Sequence, residues 1–172
     1  MFVKLVRIVS MIVAMGVAGG RPAAAQAADV RLPPNIHVAG ELQPVIGEML
    51  AASSTFRRQW AALTRPGRLH VSVFVTRSSL GADRRAETVM RRYSSGLLFA
   101  VVLIPGGGAH VELIAHEFEH IVEQIEGVNL PALARSGSPA VRQGHDGSFE
   151  TARAQHAGRT VSAEVRLAGR PD

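Results

Sequence analysis

The segment at residues 111–127, VELIAHEFEHIVEQIEG, constrains the fold of this chain more than any other part of its sequence. Apolar residues recur in it every three or four positions, and at about 100° per residue they lie on one side of a helix. Glutamates and histidines lie on the other side, with no lysine or arginine among them. Gly127 is a natural end for such a helix. The sequence therefore predicts an amphipathic helix with an acidic, histidine-bearing face.

The first residues have the order of a secretory signal peptide. A positively charged start precedes a 13-residue apolar run at 8–20, and three alanines at 23–25 offer small residues for cleavage. The apolar run is shorter than the roughly 20 residues that span a bilayer. We therefore predict that residues 1–25, or 1–27, are removed and that no stable membrane anchor remains. The expected product is a periplasmic or secreted protein with a single domain at 26–172.

The composition excludes several classes of site. The chain has no cysteine, so it has no disulfide, no thiol nucleophile and no thiolate metal ligand. Its basic residues are scattered, and it has one tryptophan and one tyrosine, so no basic and aromatic surface indicates nucleic-acid binding. With 47% apolar residues, the chain is typical of a folded globular domain.

Apolar patterns upstream of the histidine-bearing helix predict an α+β fold. Helical spacing predicts helices at 42–50, 56–63 and 83–93. An alternation with period two at 69–76 predicts a half-buried strand, and the continuous apolar run at 97–104 predicts a buried one. The strand at 69–76 is also a candidate edge to which an extended peptide could add.

A last helix is predicted at about 148–167, after a connection rich in Gly, Pro and Ser at 128–147. Glu150 begins a face that apolar residues continue at steps of three and four, so it is expected to point inward. An inward carboxylate is costly without a partner. A metal ion and Arg153 are the two candidate partners, and the alternative is that Glu150 only favours a helix N-terminus.

Residues 116–120 form an H-E-x-x-H string. Residues four apart on a helix have Cβ atoms about 5–6 Å apart. The imidazoles of His116 and His120 can therefore bind one ion at about 2.0–2.1 Å, and the Glu117 carboxylate projects to the flank where it can reach water. The alternative is a solvated charged face. Two aligned histidines without balancing Lys or Arg favour the cation site.

This segment resembles the active-site helix of the zincin metallopeptidases. The resemblance implies that His116 and His120 hold one Zn²⁺ per chain and that Glu117 is the general base. Positions 123 and 126 are both glutamate, unlike the metzincin branch. The remaining resemblance is to the gluzincin branch, in which a glutamate on a later helix completes the site. It implies a minimal, single-domain zincin-like fold with helices packed on a short sheet.

Glu150 is the predicted third ligand, because two histidines leave a tetrahedral ion short of protein donors. It has a suitable oxygen, is expected to face inward and follows a loop long enough to fold back over the histidines. His145, Asp146 and His156 are the alternatives.

Other polar residues are candidates for supporting roles. Glu112 and Glu123 lie one turn from the histidines and could orient them. Tyr93, His145 and His156 are candidates for the donor that stabilises a transition-state oxyanion.

Taken together, these features predict an exported zinc-dependent metallopeptidase that hydrolyses a peptide or protein substrate, with Glu117 as the base. The alternative hypothesis is a non-catalytic periplasmic metal-binding or structural module that keeps the same helix. A scaffold domain without metal is a third hypothesis.

Overall fold

The computed structural model describes residues 32–65, 67–76, 86–107 and 110–170 and the backbone of residues 4–10. The described strands are β1 (Lys4–Ser10), β2 (Ile36–Val38), β3 (Leu69–Thr76), β4 (Ala86–Arg92), β5 (Leu98–Pro105), β6 (Val141–Gln143) and β7 (Phe149–Thr151). The described helices are α1 (Gln43–Ala52), α2 (Ser54–Leu63), α3 (His110–Ile125), α4 (Leu130–Arg135) and α5 (Ala152–Ala168).

These strands form one mixed sheet in the order β2-β3-β5-β4-β1-β7-β6. The strands β2, β3 and β5 are parallel, and β4 is antiparallel to β5. β1 pairs antiparallel with β4 along its whole length and parallel with β7, where Ile8 lies opposite Phe149. β1 therefore connects four strands of the sheet to the β6–β7 hairpin.

Helices cover one face of this sheet. Burial alternates along β3 and β5, and α3 lies against β4 and β5 while α5 packs along α3. The core between sheet and helices includes Val71, Val73, Ala100, Val102, Ile104, Ile114, Phe118, Ile121 and Val161. On the other face, the side chains of Phe74 and Phe99 are each 40% exposed, and no described helix covers them. The predicted α+β class is confirmed.

Most of the predicted elements are present, but the helix predicted at 83–93 is wrong. Residues 86–92 form strand β4, in which Ala86, Thr88 and Met90 are buried. Pairing with β5 on one side and β1 on the other outweighs the helical spacing of the apolar residues, because strand formation depends on neighbouring strands.

The expectation that 69–76 supplies an edge is also wrong, since β3 pairs with β2 on one side and β5 on the other. Strand β1 falls within the predicted signal peptide, and the rest of residues 1–25 lies outside the described residues. Export stays a prediction. In the described part of the chain, no helix is long and apolar enough to cross a membrane.

Candidate metal centre

Helix α3 is buried on every side over three turns. All residues from 113 to 123 are buried, including His116, Glu117, Glu119, His120 and Glu123. The alternative of a solvated charged face is therefore wrong. Buried ionisable groups need specific partners, because their transfer out of water is otherwise costly.

Three of these buried groups converge on one point. The Nε2 atoms of His116 and His120 are 3.1 Å apart, and Oε1 of Glu150 lies 3.1 Å from the first and 3.8 Å from the second. Both histidine side chains are fully buried, and that of Glu150 is 8% exposed. This buried His/His/Glu group could bind a metal ion.

The dimensions of the group fit a first-row metal ion. A circle through three points with these separations has a radius of about 2.0 Å, so an ion near its centre would lie about 2.0–2.2 Å from each donor atom. Two imidazole nitrogens and one carboxylate oxygen are a common protein ligand set for zinc, and non-haem iron uses a similar one.

Glu150 reaches the histidines from a strand, which corrects the prediction that a helix carries it. It belongs to β7, opposite Arg142 of β6, and α5 starts two residues later. The helix cannot begin at 148 because hairpin pairing holds 149–151 extended, and Thr151 caps the helix with φ −122° and ψ 144°.

Arg153, the other candidate partner of Glu150, is hydrogen-bonded to two other glutamates. The guanidinium of Arg153 donates from Nε to Glu119 at 2.7 Å and from its terminal nitrogens to Glu126. The alternative third ligands also lie outside the group. His145 and Asp146 are in the exposed β6–β7 turn, where Asp146 accepts hydrogen bonds from Ser148.

The candidates for oxyanion stabilisation are not brought to the group by any described contact. His156 is exposed on α5 beside Thr160. Tyr93 packs against Phe99, with the guanidinium of Arg91 over its ring at 5.1 Å.

Of the two glutamates predicted to orient the histidines, Glu123 does so. Its Oε2 accepts a hydrogen bond from Nδ1 of His120 at 3.0 Å. The other ring nitrogen, Nε2, is therefore the one that lies near Glu150. Glu112 is half-buried and has no described bond to either ring. Within the described residues, Nδ1 of His116 is buried and has no hydrogen-bond partner.

Glu117 is fully buried beside the group and accepts a short hydrogen bond from the hydroxyl of Thr88 on β4. Sequence reasoning missed Thr88, because it placed 83–93 on a helix. A strand prediction there would have placed Thr88 on the buried face with Ala86 and Met90.

Burial lowers the pKa of His116, but a hydrogen bond to Glu150 and the negative charges of Glu117, Glu150 and Glu123 raise it more. The net result is a pKa above the usual value of 6.5. The local field therefore favours positive charge at this ring, as it would favour a bound cation.

Close packing of α5 on α3 brings the strand before α5 to the histidines. At Gly158, an added Cβ would lie 2.9 Å from the carbonyl oxygen of Glu112 and 3.3 Å from Cβ of His116. Only glycine allows this approach without displacing one helix.

Comparison of the chain with the profiles of known protein families, with curated proteins and with solved structures gives no match.

Proposed function

We propose that the protein is an exported zinc-dependent metallopeptidase. His116, His120 and Glu150 would hold one Zn²⁺ per chain, and Glu117 would be the general base. The observation that carries the proposal is the convergence of three buried donor atoms beside the buried carboxylate of Glu117. Iron or manganese is the alternative metal, because two histidines and one carboxylate also suit these ions.

A zinc ion held by His116, His120 and Glu150 would supply Lewis acidity, which lowers the pKa of a bound water and polarises a substrate carbonyl. The proton transfers belong to Glu117. Its carboxylate takes a proton from the attacking water and passes it to the nitrogen of the leaving amine, so that the peptide C–N bond is replaced by a carboxylate and an amine. Thr88 limits the rotation of Glu117 by donating to one of its oxygens.

The strand arrangement supports a peptide as substrate. Residues 4–10 pair with β4 as an extended segment, and Ile8 lies opposite Thr88 on one side and Phe149 on the other. Thr88 contacts Glu117, and Phe149 precedes Glu150. A strand between β4 and β7 therefore runs beside the His/His/Glu group. We infer that an extended peptide takes this position when residues 1–25 have been removed.

The test compares two buried glutamates that lie two residues apart on α3. Glu117→Gln should keep about one zinc per chain and lose hydrolysis of a peptide library by about 10²–10⁴-fold, because an amide cannot accept the proton. Glu119→Gln is the control and should keep both zinc and hydrolysis. Zinc is measured by elemental analysis, and cleavage by mass spectrometry.

Unchanged hydrolysis in Glu117→Gln, with contaminating protease excluded, would contradict the catalytic role. The second candidate function is a non-catalytic metal-binding module. It is favoured by the positions of Tyr93, His145 and His156, which no described contact brings to the group. That hypothesis predicts bound zinc and no zinc-dependent hydrolysis in the unmodified protein.

A further inference from the structure

Thr151 joins several parts of the metal centre at the point where β7 becomes α5. It is 2% exposed and is the N-cap of α5. Its hydroxyl accepts from the backbone N–H of Ala154 at 3.0 Å and donates to Oε1 of Glu123 at 2.8 Å. These directions are fixed, because an amide N–H only donates and a carboxylate only accepts.

The contacts continue from Thr151 to two of the three metal ligands. The other oxygen of Glu123 accepts from Nδ1 of His120 at 3.0 Å. The backbone N–H of Thr151 donates at 3.0 Å to Oε1 of Glu150, which is also the oxygen nearest to Nε2 of His116. His120 and Glu150 are therefore oriented through one residue.

We propose that Thr151 is a positioning residue of the metal centre, which acts on His120 through Glu123. With its hydroxyl on one carboxylate oxygen, Glu123 is held so that the other oxygen accepts from Nδ1 of His120. The His120 ring then carries its proton on Nδ1, and the lone pair of Nε2 would be free to bind a metal ion. The inference rests on the proposed metal site and does not depend on whether the site hydrolyses peptides.

The experiment must separate this role from helix capping, which Thr151 also performs. Zinc affinity is measured by competition with a chromophoric chelator, and ligand geometry by the visible spectrum of the Co²⁺-substituted protein. Thr151→Val removes both roles, whereas Thr151→Ser keeps both. Ser53→Ala is the matched control, because Ser53 is the buried N-cap of α2 and accepts from the N–H of Phe56 at 2.9 Å.

Thr151→Val should weaken zinc binding about 10- to 100-fold and change the Co²⁺ spectrum. Thr151→Ser should bind zinc within about threefold of the unmodified protein, and Ser53→Ala should lower the melting temperature without changing zinc affinity. In a Glu123→Gln background, Thr151→Val should cause little further loss, because the two residues act in series.

Unmodified affinity in folded Thr151→Val, or a full multiplicative loss in the double variant, would overturn the proposal. If Thr151→Val does not fold, Glu123→Gln decides: a 10- to 100-fold loss supports the proposed series of contacts, and unchanged affinity refutes it. Failure of the unmodified protein to bind zinc refutes the proposed function itself, so the two failures are distinguishable.

Discussion

Helix α3 buries glutamates in two neighbouring regions, and their partners differ in kind. In the first, which we call the Glu119 cluster, Glu119 accepts from Arg58 at 2.9 Å, Gln59 at 2.7 Å and Arg153 at 2.7 Å. In the metal centre, Glu123 accepts from an imidazole and a hydroxyl, and Glu117 accepts from the hydroxyl of Thr88.

The kind of partner distinguishes the Glu119 carboxylate, which is bound by guanidinium groups, from the carboxylates of Glu117 and Glu123, which are not. Arginine is always protonated, so the Glu119 cluster has permanent cations and ties α3 to α2 and α5. Imidazoles exchange protons and bind metals near neutral pH. The same helix therefore uses one buried glutamate as a fixed support and places others beside a buried His/His/Glu group that could bind a metal ion.

Removal of the proposed metal ligands should abolish metal binding and leave the Glu119 cluster intact. The double variant His116→Ala/His120→Ala should lose all stoichiometric zinc. Glu150→Gln should bind zinc about 10- to 100-fold more weakly or worse, because a neutral amide replaces a charged ligand. Asp146→Asn and His156→Ala are controls and should bind zinc normally. Elemental analysis and chelator competition measure these effects, and stoichiometric zinc in the double variant would refute the placement.

Removal of the central carboxylate of the Glu119 cluster should have the converse effect. Glu119→Ala leaves Arg58, Gln59 and Arg153 without their shared acceptor and should lower the free energy of unfolding by about 1–3 kcal/mol. We expect the lower part of this range, because the Arg58 and Arg153 side chains are 53% and 40% exposed and can be rehydrated. Urea denaturation measures the loss. If zinc affinity falls as well, the two regions are not independent.

In metal-free protein, His116 of the candidate metal centre and the Arg153–Glu126 pair beside the Glu119 cluster should respond to pH in opposite directions. The pKa of His116 is raised above 6.5, so its contribution to stability is present below that pH and is lost as pH rises through the folded-state pKa. Hydrogen bonds from Arg153 hold the pKa of Glu126 below 4.5, so that contribution is present above 4.5 and is lost in acid.

This pH dependence is the smallest of the expected effects. The free energy of unfolding is measured by urea denaturation of chelator-treated protein across the pH range. His116→Gln should remove the loss on the alkaline side, and Glu126→Gln should remove part of the loss in acid. If His116→Gln loses as much stability on the alkaline side as the unmodified protein, and Glu126→Gln loses as much in acid, the assignment of these effects to the two groups is wrong.

Much of the site was predictable because it is encoded locally. The spacing of His116 and His120 follows from helical geometry, and the helical pattern of 111–125 is strong. The inward position of Glu150 was predicted correctly for a wrong reason. The apolar steps that follow it belong to α5, in which Ala154, Ala157 and Val161 are buried, but Glu150 itself lies on the preceding strand.

The sequence by itself determined the strand at 69–76, the buried strand at 97–104, the histidine-bearing helix and the three side chains with metal-ligand chemistry. The strands, the helix and the spacing of the two histidines each depend on residues within a few positions of one another. The approach of Glu150 to the histidines, which are 30 or more positions away in the chain, depends on the tertiary structure. The tertiary structure decided that 86–92 is a strand, that Arg153 joins Glu119 and Glu126, and that Thr88 and Thr151 support the site. Strand 86–92 depends on its pairing with β1 and β5, and the side-chain contacts join residues 27 or more positions apart. No local periodicity encodes such pairs, because they form only when packing brings the elements together.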